Sequence, residues 1–298
     1  MPLTRILALL CALSVAACVP KQPQVSASFD NPAQAYPIPV VTTISTLNSL
    51  VQGVGGDLVS VRSIVPVGAS PETYQPTPQD VAMLSGARLL VENGAGLESW
   101  LSKMLATAAA PGLKVVVCAD GLHVKNDNPH LWMDPVNARH YVLAIRDGLI
   151  AVDPKNAPTY RKNARAYNAK LVALQKYIQA KIDTLPPSHR YMIVFHNAWQ
   201  YYDDRFGLTT LDFVERNPGQ EPNPQHIASI IDLAKAHHVH GVFSEPEYSP
   251  KILYAIAQGA GVKVVENLYD DSIGTDPRVG DYISMLTFDT NEIVNALR

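Results

Sequence analysis

The chain has 298 residues, a formal charge of −3 and 17% charged residues. That length allows one large or two ordinary domains, each able to bury a core. The mildly acidic balance argues against a nucleic-acid partner, which needs clustered Lys and Arg.

In chain order, the first segment reads as a targeting signal rather than part of a fold. Arg5 supplies a positive start, and Ile6 to Val15 is apolar and uncharged. The run is too short for a permanent membrane helix and suits a secretory signal over residues 1–17. Val15-Ala16-Ala17-Cys18 resembles the lipobox of bacterial lipoproteins, which implies cleavage before Cys18 and acylation of its thiol. The plainer alternative is an ordinary signal peptide with a chance cysteine. Cys11 lies inside the signal, so Cys118 stands alone in the mature chain and no intramolecular disulfide can form. Cys118 ends an apolar run and reads as a buried strand residue. Residues 18–37, rich in Pro, Gln, Ser and Ala, read as a flexible tether.

After Pro39, short β-branched runs alternate with helix-like stretches. The expected strands are Val40–Ile44, Leu58–Val65, Arg88–Val91, Lys114–Cys118, Tyr191–Phe195, Leu208–Phe213, Val239–Phe243 and Val262–Val265. Strands alternating with helices predict an α/β architecture with mainly parallel sheets. Between Pro158 and Pro186 no Gly or Pro interrupts a pattern of Tyr160, Ala164, Tyr167, Leu171, Leu174, Ile178 and Ile182. These steps of three and four mark one face of a long amphipathic helix. It is expected to link two lobes, giving an N-terminal lobe over 38–155, a linking helix over 156–186 and a C-terminal lobe over 187–298. A helix packed on one larger sheet would carry the same periodicity.

Four loops carry candidate chemistry: Gly68 to Pro78 with Glu72, Asn128 to Pro135 with His130, Phe195 to Tyr202 with His196, and Leu268 to Ile273 with Asp270 and Asp271. Several follow expected strands, where parallel sheets form ligand crevices. Imidazoles and carboxylates together suit zinc, manganese or ferrous iron. A lone loop histidine more often only hydrogen-bonds, and spacing does not establish that these residues converge. The cluster His237, His238 and His240 reads as a solvated helix end, with a second metal site as the alternative.

The body from Pro39 onward resembles the zinc/manganese-type (TroA-like) periplasmic solute-binding proteins of bacterial ABC importers. The resemblance rests on Gly68-Ala69-Ser70-Pro71, Tyr74, Pro76, Pro78 and Asp80; on Leu84 to Ala87; and on Glu92 to Leu97 with Glu98, Trp100 and Leu101. It continues through Asn128-Pro129-His130-Leu131-Trp132-Met133-Asp134-Pro135, Phe195-His196-Asn197-Ala198-Trp199, Phe206-Gly207-Leu208, Glu221 to Pro224, Phe243-Ser244-Glu245-Pro246 and Asp271-Ser272-Ile273. It implies two lobes joined by one long rigid helix, one divalent transition metal in the cleft between them, and ligand roles for His130, His196 and Asp271. It also implies a permease and its ATPase in the inner membrane as partners, and a monomer lipid-anchored at Cys18 on the outer face of the cytoplasmic membrane.

The family's first ligand is a histidine directly after the proline of the first motif, where this chain has Glu72. Either its carboxylate coordinates, completing a site of two nitrogens and two carboxylates, or it turns away and water completes a three-residue site. Two carboxylates shift preference toward manganese or iron. Retention of His196 at the third position follows the zinc-type members and puts zinc slightly ahead. The segment Gly121 to Asn128 lacks the His-rich loop common in zinc receptors, which favours manganese or iron. A metal-dependent hydrolase using the same cleft with Glu245 as its base, and a metal chaperone or adhesin-like relative, are the rival classes.

Overall fold

The computed structural model describes residues 36–108 and 110–298. Cys18, the signal and most of the tether therefore lie outside the described residues.

The first half alternates strand and helix: β1 (Ile38–Thr42), α1 (Ser45–Gly55), β2 (Val59–Ser63), α2 (Pro78–Ser85), β3 (Leu89–Glu92), α3 (Leu101–Ala108), β4 (Lys114–Val117) and α4 (Pro135–Val152). A long helix, α5 (Ala157–Ile182), follows. The second half repeats the scheme with β5 (Tyr191–Val194), α6 (Gln200–Phe206), β6 (Thr209–Phe213), α7 (Pro224–Ala236), β7 (Gly241–Phe243), α8 (Lys251–Ala260), β8 (Lys263–Val265) and α9 (Tyr282–Leu297). All strand pairs are parallel, in the orders β2-β1-β3-β4 and β6-β5-β7-β8. In each sheet the direction of winding reverses between the two middle strands. A crevice therefore opens at their carboxyl ends.

All eight expected strands form, with ends displaced by a residue or two. β1 starts earlier than expected because Pro39 sits near the strand start, where its missing N–H costs little; its carbonyl still accepts from Arg88 N. β1 ends at Thr42 because Ile44 already caps α1. Cys118 is fully buried, one residue beyond β4.

The buried face of α5 consists of Ala157 and the seven positions its periodicity marked. At 1.5 Å per residue the helix spans about 39 Å, long enough to touch both halves. It packs on α1 and α4 from the first half and on α9 from the second. One apolar core accordingly runs through both lobes, from Ile38, Leu50 and Tyr141 through Leu171 and Ile178 to Leu286 and Leu297. Separate clusters cover the outer sheet faces, around Leu84, Leu90 and Met104 in the first lobe and Ile193, Val242 and Leu253 in the second.

Polar ties join the lobes as well. Trp132 Nε1 donates to Asp270 O at 2.8 Å, and Tyr282 Oη donates to Trp132 O at 2.5 Å. Ile273 N and Tyr282 N donate to Ser45 Oγ and Ser49 Oγ at 3.0 and 2.9 Å. No described helix is long and apolar enough to cross a membrane.

Candidate metal centre

The middle strands of the second sheet deliver two key groups. His196 follows β5 by two residues and Glu245 follows β7 by two, so both stand at the winding reversal. Phe195 stacks on Tyr248, with centroids 4.2 Å apart, and steadies the turn that carries His196. Asp270 and Asp271 lie beyond β8. His130 comes from the first lobe, just before the turn Leu131–Met133 that leads into α4. Asp134 caps α4 by accepting from Val136 N, and its other oxygen accepts from Arg205 in α6, which holds this segment across the lobe boundary.

Both imidazoles have one nitrogen committed and one free. Asn128 Oδ1 accepts from His130 N at 2.9 Å and sits 2.8 Å from His130 Nδ1; being an acceptor only, it requires a proton on Nδ1. Asn128 is itself oriented by donating to Asn197 O at 2.7 Å. Glu245 Oε2 accepts from His196 Nδ1 at 2.5 Å. The two Nε2 atoms then face each other at 3.2 Å, each presenting a lone pair in the neutral form. Asp271 closes the recess, with Oδ1 at 3.4 Å from His130 Nε2 and Oδ2 at 3.8 Å from His196 Nε2. Ligand atoms of His130, His196 and Asp271 lie within 4.8 Å of one another.

This recess could hold a cation. His130, His196 and Asp271 are at most 4% exposed, and both Asp271 oxygens lack a hydrogen-bond partner among the described residues. Buried carboxylate oxygens without partners are costly, and a metal ion or proton removes that cost. Two nitrogens ligating one tetrahedral zinc at 2.0–2.1 Å stand about 3.3 Å apart, close to the observed separation.

A second ring of acids surrounds the first. Asp270 Oδ2 lies 3.9 Å from His196 Nδ1, and it and Glu245 Oε1 are also unpartnered. Burial, with Glu245 next, pushes Asp270 well above the usual carboxylate range. Burial opposes a charge on His196, but Glu245 and Asp270 outweigh it and carry the imidazole well above its ordinary pKa. Burial and Asp271 raise Glu247 to about 8. These surroundings favour the protonated forms of His196, Asp270 and Glu247 when no metal is bound.

Glu72 stands in the wall of the cavity over the two imidazoles. Burial raises its pKa, while His130 and His196 pull it down. The structure thus brings His130, His196 and Asp271 into one group and sets Glu72 beside it within reach of their charge. Glu245, read from sequence as a candidate base, instead orients His196. Asn128 stood in a quoted motif, but its role depends on the fold. Glu215 carried no sequence signal beyond an acidic residue just past an expected strand. His237 and His238 are exposed where α7 ends, and among the described residues they join no group able to hold a metal.

The family described as zinc-uptake complex component A, periplasmic, matches residues 40–296. The manganese-binding lipoprotein MntA of Halalkalibacterium halodurans is 30% identical over 263 residues, covering 87% of this chain and 88% of that one. The iron-binding protein YfeA of Yersinia pestis is 30% identical over 273 residues, covering 89% and 88%. A crystal structure of ZnuA superposes with a TM-score of 0.79 at 31% identity, covering 88% of this chain and 99% of that one. A cadmium-bound periplasmic metal-binding protein from Candidatus Liberibacter asiaticus gives a TM-score of 0.79 at 28% identity, covering 87% and 99%.

Proposed function

The chain belongs to the family of periplasmic zinc-uptake A components, the metal-binding solute-binding proteins of ABC importers, and from that premise we propose that it captures one divalent transition metal between its lobes through His130, His196 and Asp271, with Glu72 as fourth ligand. The chain is not an enzyme, and the metal is its cargo.

The observation that carries the reading is the pair of inward Nε2 atoms 3.2 Å apart beside an unpartnered buried aspartate. Asn128 and Glu245 each hold a proton on Nδ1, which leaves Nε2 of both rings as the nitrogen that ligates once any proton on it is displaced, as orienting partners of metal ligands do. Metal entry displaces protons from His196 and its acidic neighbours, so capture weakens as the pH falls. The helix α5 and the continuous core limit any hinge swing, so release is expected to involve local loop movement more than separation of the lobes.

Zinc is the first choice of cargo, because the nitrogen separation fits a tetrahedral ion and zinc tolerates mixed nitrogen and oxygen donors. Manganese or ferrous iron is the second reading, favoured by two carboxylates in the donor set and by the metals for which MntA and YfeA are named. The folded unit is proposed to divide at α5 into lobes 38–155 and 187–298. Acylation at Cys18 is proposed to hold the chain near its permease on the extracytoplasmic side. Titration of metal-free protein with zinc, manganese and ferrous iron under matched conditions tests the reading. One equivalent bound tightly supports it, and failure of all three to bind stoichiometrically would overturn it.

A further inference from the structure

Glu215 is more than nine-tenths buried, with a side-chain oxygen that has no hydrogen-bond partner among the described residues. Its backbone N–H donates to Phe195 O at 2.8 Å, which fixes it beside the turn that carries His196. Its Oε1 accepts from Gly219 N, bracing the turn that follows β6. Its Oε2 has no partner. A glutamine would brace the same turn through its own carbonyl oxygen without burying a charge. Turn-bracing therefore accounts for one oxygen and leaves the other without a structural role.

That other oxygen belongs to a carboxylate in the wall of a cavity of about 140 Å³ above the two imidazoles. The same wall holds Glu72 from the other lobe, Asp127, and the amides Asn126 and Asn128; one cation, Arg216, is also present, 3.3 Å from Asp212. Gly219 comes so near the Glu72 loop that a Cβ there would lie 3.2 Å from Thr73 Cγ2. The mouth of the cleft is thus closed by two loops, one from each lobe, each carrying a carboxylate. Its donors are mainly oxygen, whereas the floor offers nitrogen.

We propose that Glu215 and Glu72 form an entry station for the incoming divalent cation, an oxygen-lined position where the ion sheds water before it reaches His130, His196 and Asp271. The inference rests on the metal-capture reading. Oxygen donors suit a partly hydrated ion. Negative charge from low-dielectric walls also concentrates cations at the opening. Glu215 acts on the passage of the ion more than on its final coordination, so its effect falls on the association rate.

The test is stopped-flow mixing of metal-free protein with zinc(II) alone and with manganese(II) alone at low ionic strength. Trp132 reports binding by fluorescence, since its ring lies 5.1 Å from that of His130. Glu215→Gln keeps the bond to Gly219 and removes the charge. Association should slow roughly 3- to 10-fold without faster dissociation. Glu215→Asp, which retains charge, should recover part of the rate. Adding Glu72→Gln should slow entry by less than the product of the two single effects, because the pair acts as one unit. An association rate for Glu215→Gln within twofold of wild type overturns the inference, and so does faster dissociation at unchanged association, which would make Glu215 a ligand of the bound ion. If wild-type protein binds neither metal stoichiometrically, the capture reading itself fails.

Discussion

Replacing Glu245 probes the division of labour in the metal centre. Its Oε2 accepts from His196 Nδ1 at 2.5 Å, and both residues are at most 4% exposed. When Nε2 binds a cation, the ring becomes more positive, and the Nδ1–H···carboxylate bond strengthens as a charge-assisted bond. Glu245→Gln keeps a neutral acceptor. The difference between a charged and a neutral hydrogen bond is about 1–1.5 kcal/mol, or roughly tenfold in affinity. Glu245→Ala removes the acceptor and leaves a buried N–H unpaired, which takes the loss to roughly 100-fold. Competition titration against a chelator, on metal-free protein whose fold is checked by near-ultraviolet circular dichroism, measures both. The loss should be largest at high pH. In the wild type Glu245 also helps to hold the competing proton on His196, so at acid pH its removal is partly compensated. Wild-type affinity in Glu245→Ala at pH 8 would refute the reasoning.

Three further outcomes follow from particular contacts. Glu72→Ala should weaken metal binding by roughly 10- to 100-fold, while Glu72→His should bind zinc at least as well as wild type and manganese less well; unchanged affinity in Glu72→Ala, by the same titration, would show that water completes the site. Asp203, buried with one oxygen unpartnered, is pushed to about 7 by burial. The folded state then holds a proton that the unfolded chain loses near pH 4, so stability falls as the pH rises from about 4 to 7. Between pH 5 and 8 Asp203→Asn should remove on the order of 3 kcal/mol of that decline, and urea titrations at those two pH values would expose an unchanged slope. Gly148 in α4 lies so close to the sheet that a Cβ would stand 2.3 Å from Val116 Cγ2. Gly148→Ala should destabilise the metal-free protein by about 1–2 kcal/mol net of its helix-propensity gain. Val116→Ala in that background should restore part of the loss in thermal melts, and a higher melting temperature for Gly148→Ala alone would contradict the packing argument.

The elements were legible because each carries its own period. β-branched runs marked all eight strands, and spacing of three and four gave the buried face of α5 from Tyr160 to Ile182. The site was legible only through its motifs. His130 and His196 are separated by 66 residues, and their Nε2 atoms meet only because one strand-end turn and one helix-entry turn face across the lobes. Local pattern has no access to that convergence. Nor does it reveal that Glu245, 49 residues beyond His196, bonds Nδ1, since this follows from β5 and β7 being neighbours in the second sheet. The strand expected from Val40 begins at Ile38, because Pro39 falls near the strand start, where a missing N–H is tolerated.

Capture of one metal ion by the inward-facing imidazoles and Asp271 has a direct spectroscopic signature. The most direct measurement is X-ray absorption spectroscopy on stoichiometrically zinc-loaded protein, compared with Asp271→Ala and His196→Ala. The expected result is two imidazole ligands in the wild type with oxygen completing the shell, one imidazole in His196→Ala, and loss of an oxygen scatterer in Asp271→Ala. A bound ion whose spectrum shows no imidazole, or is the same in all three proteins, would contradict it.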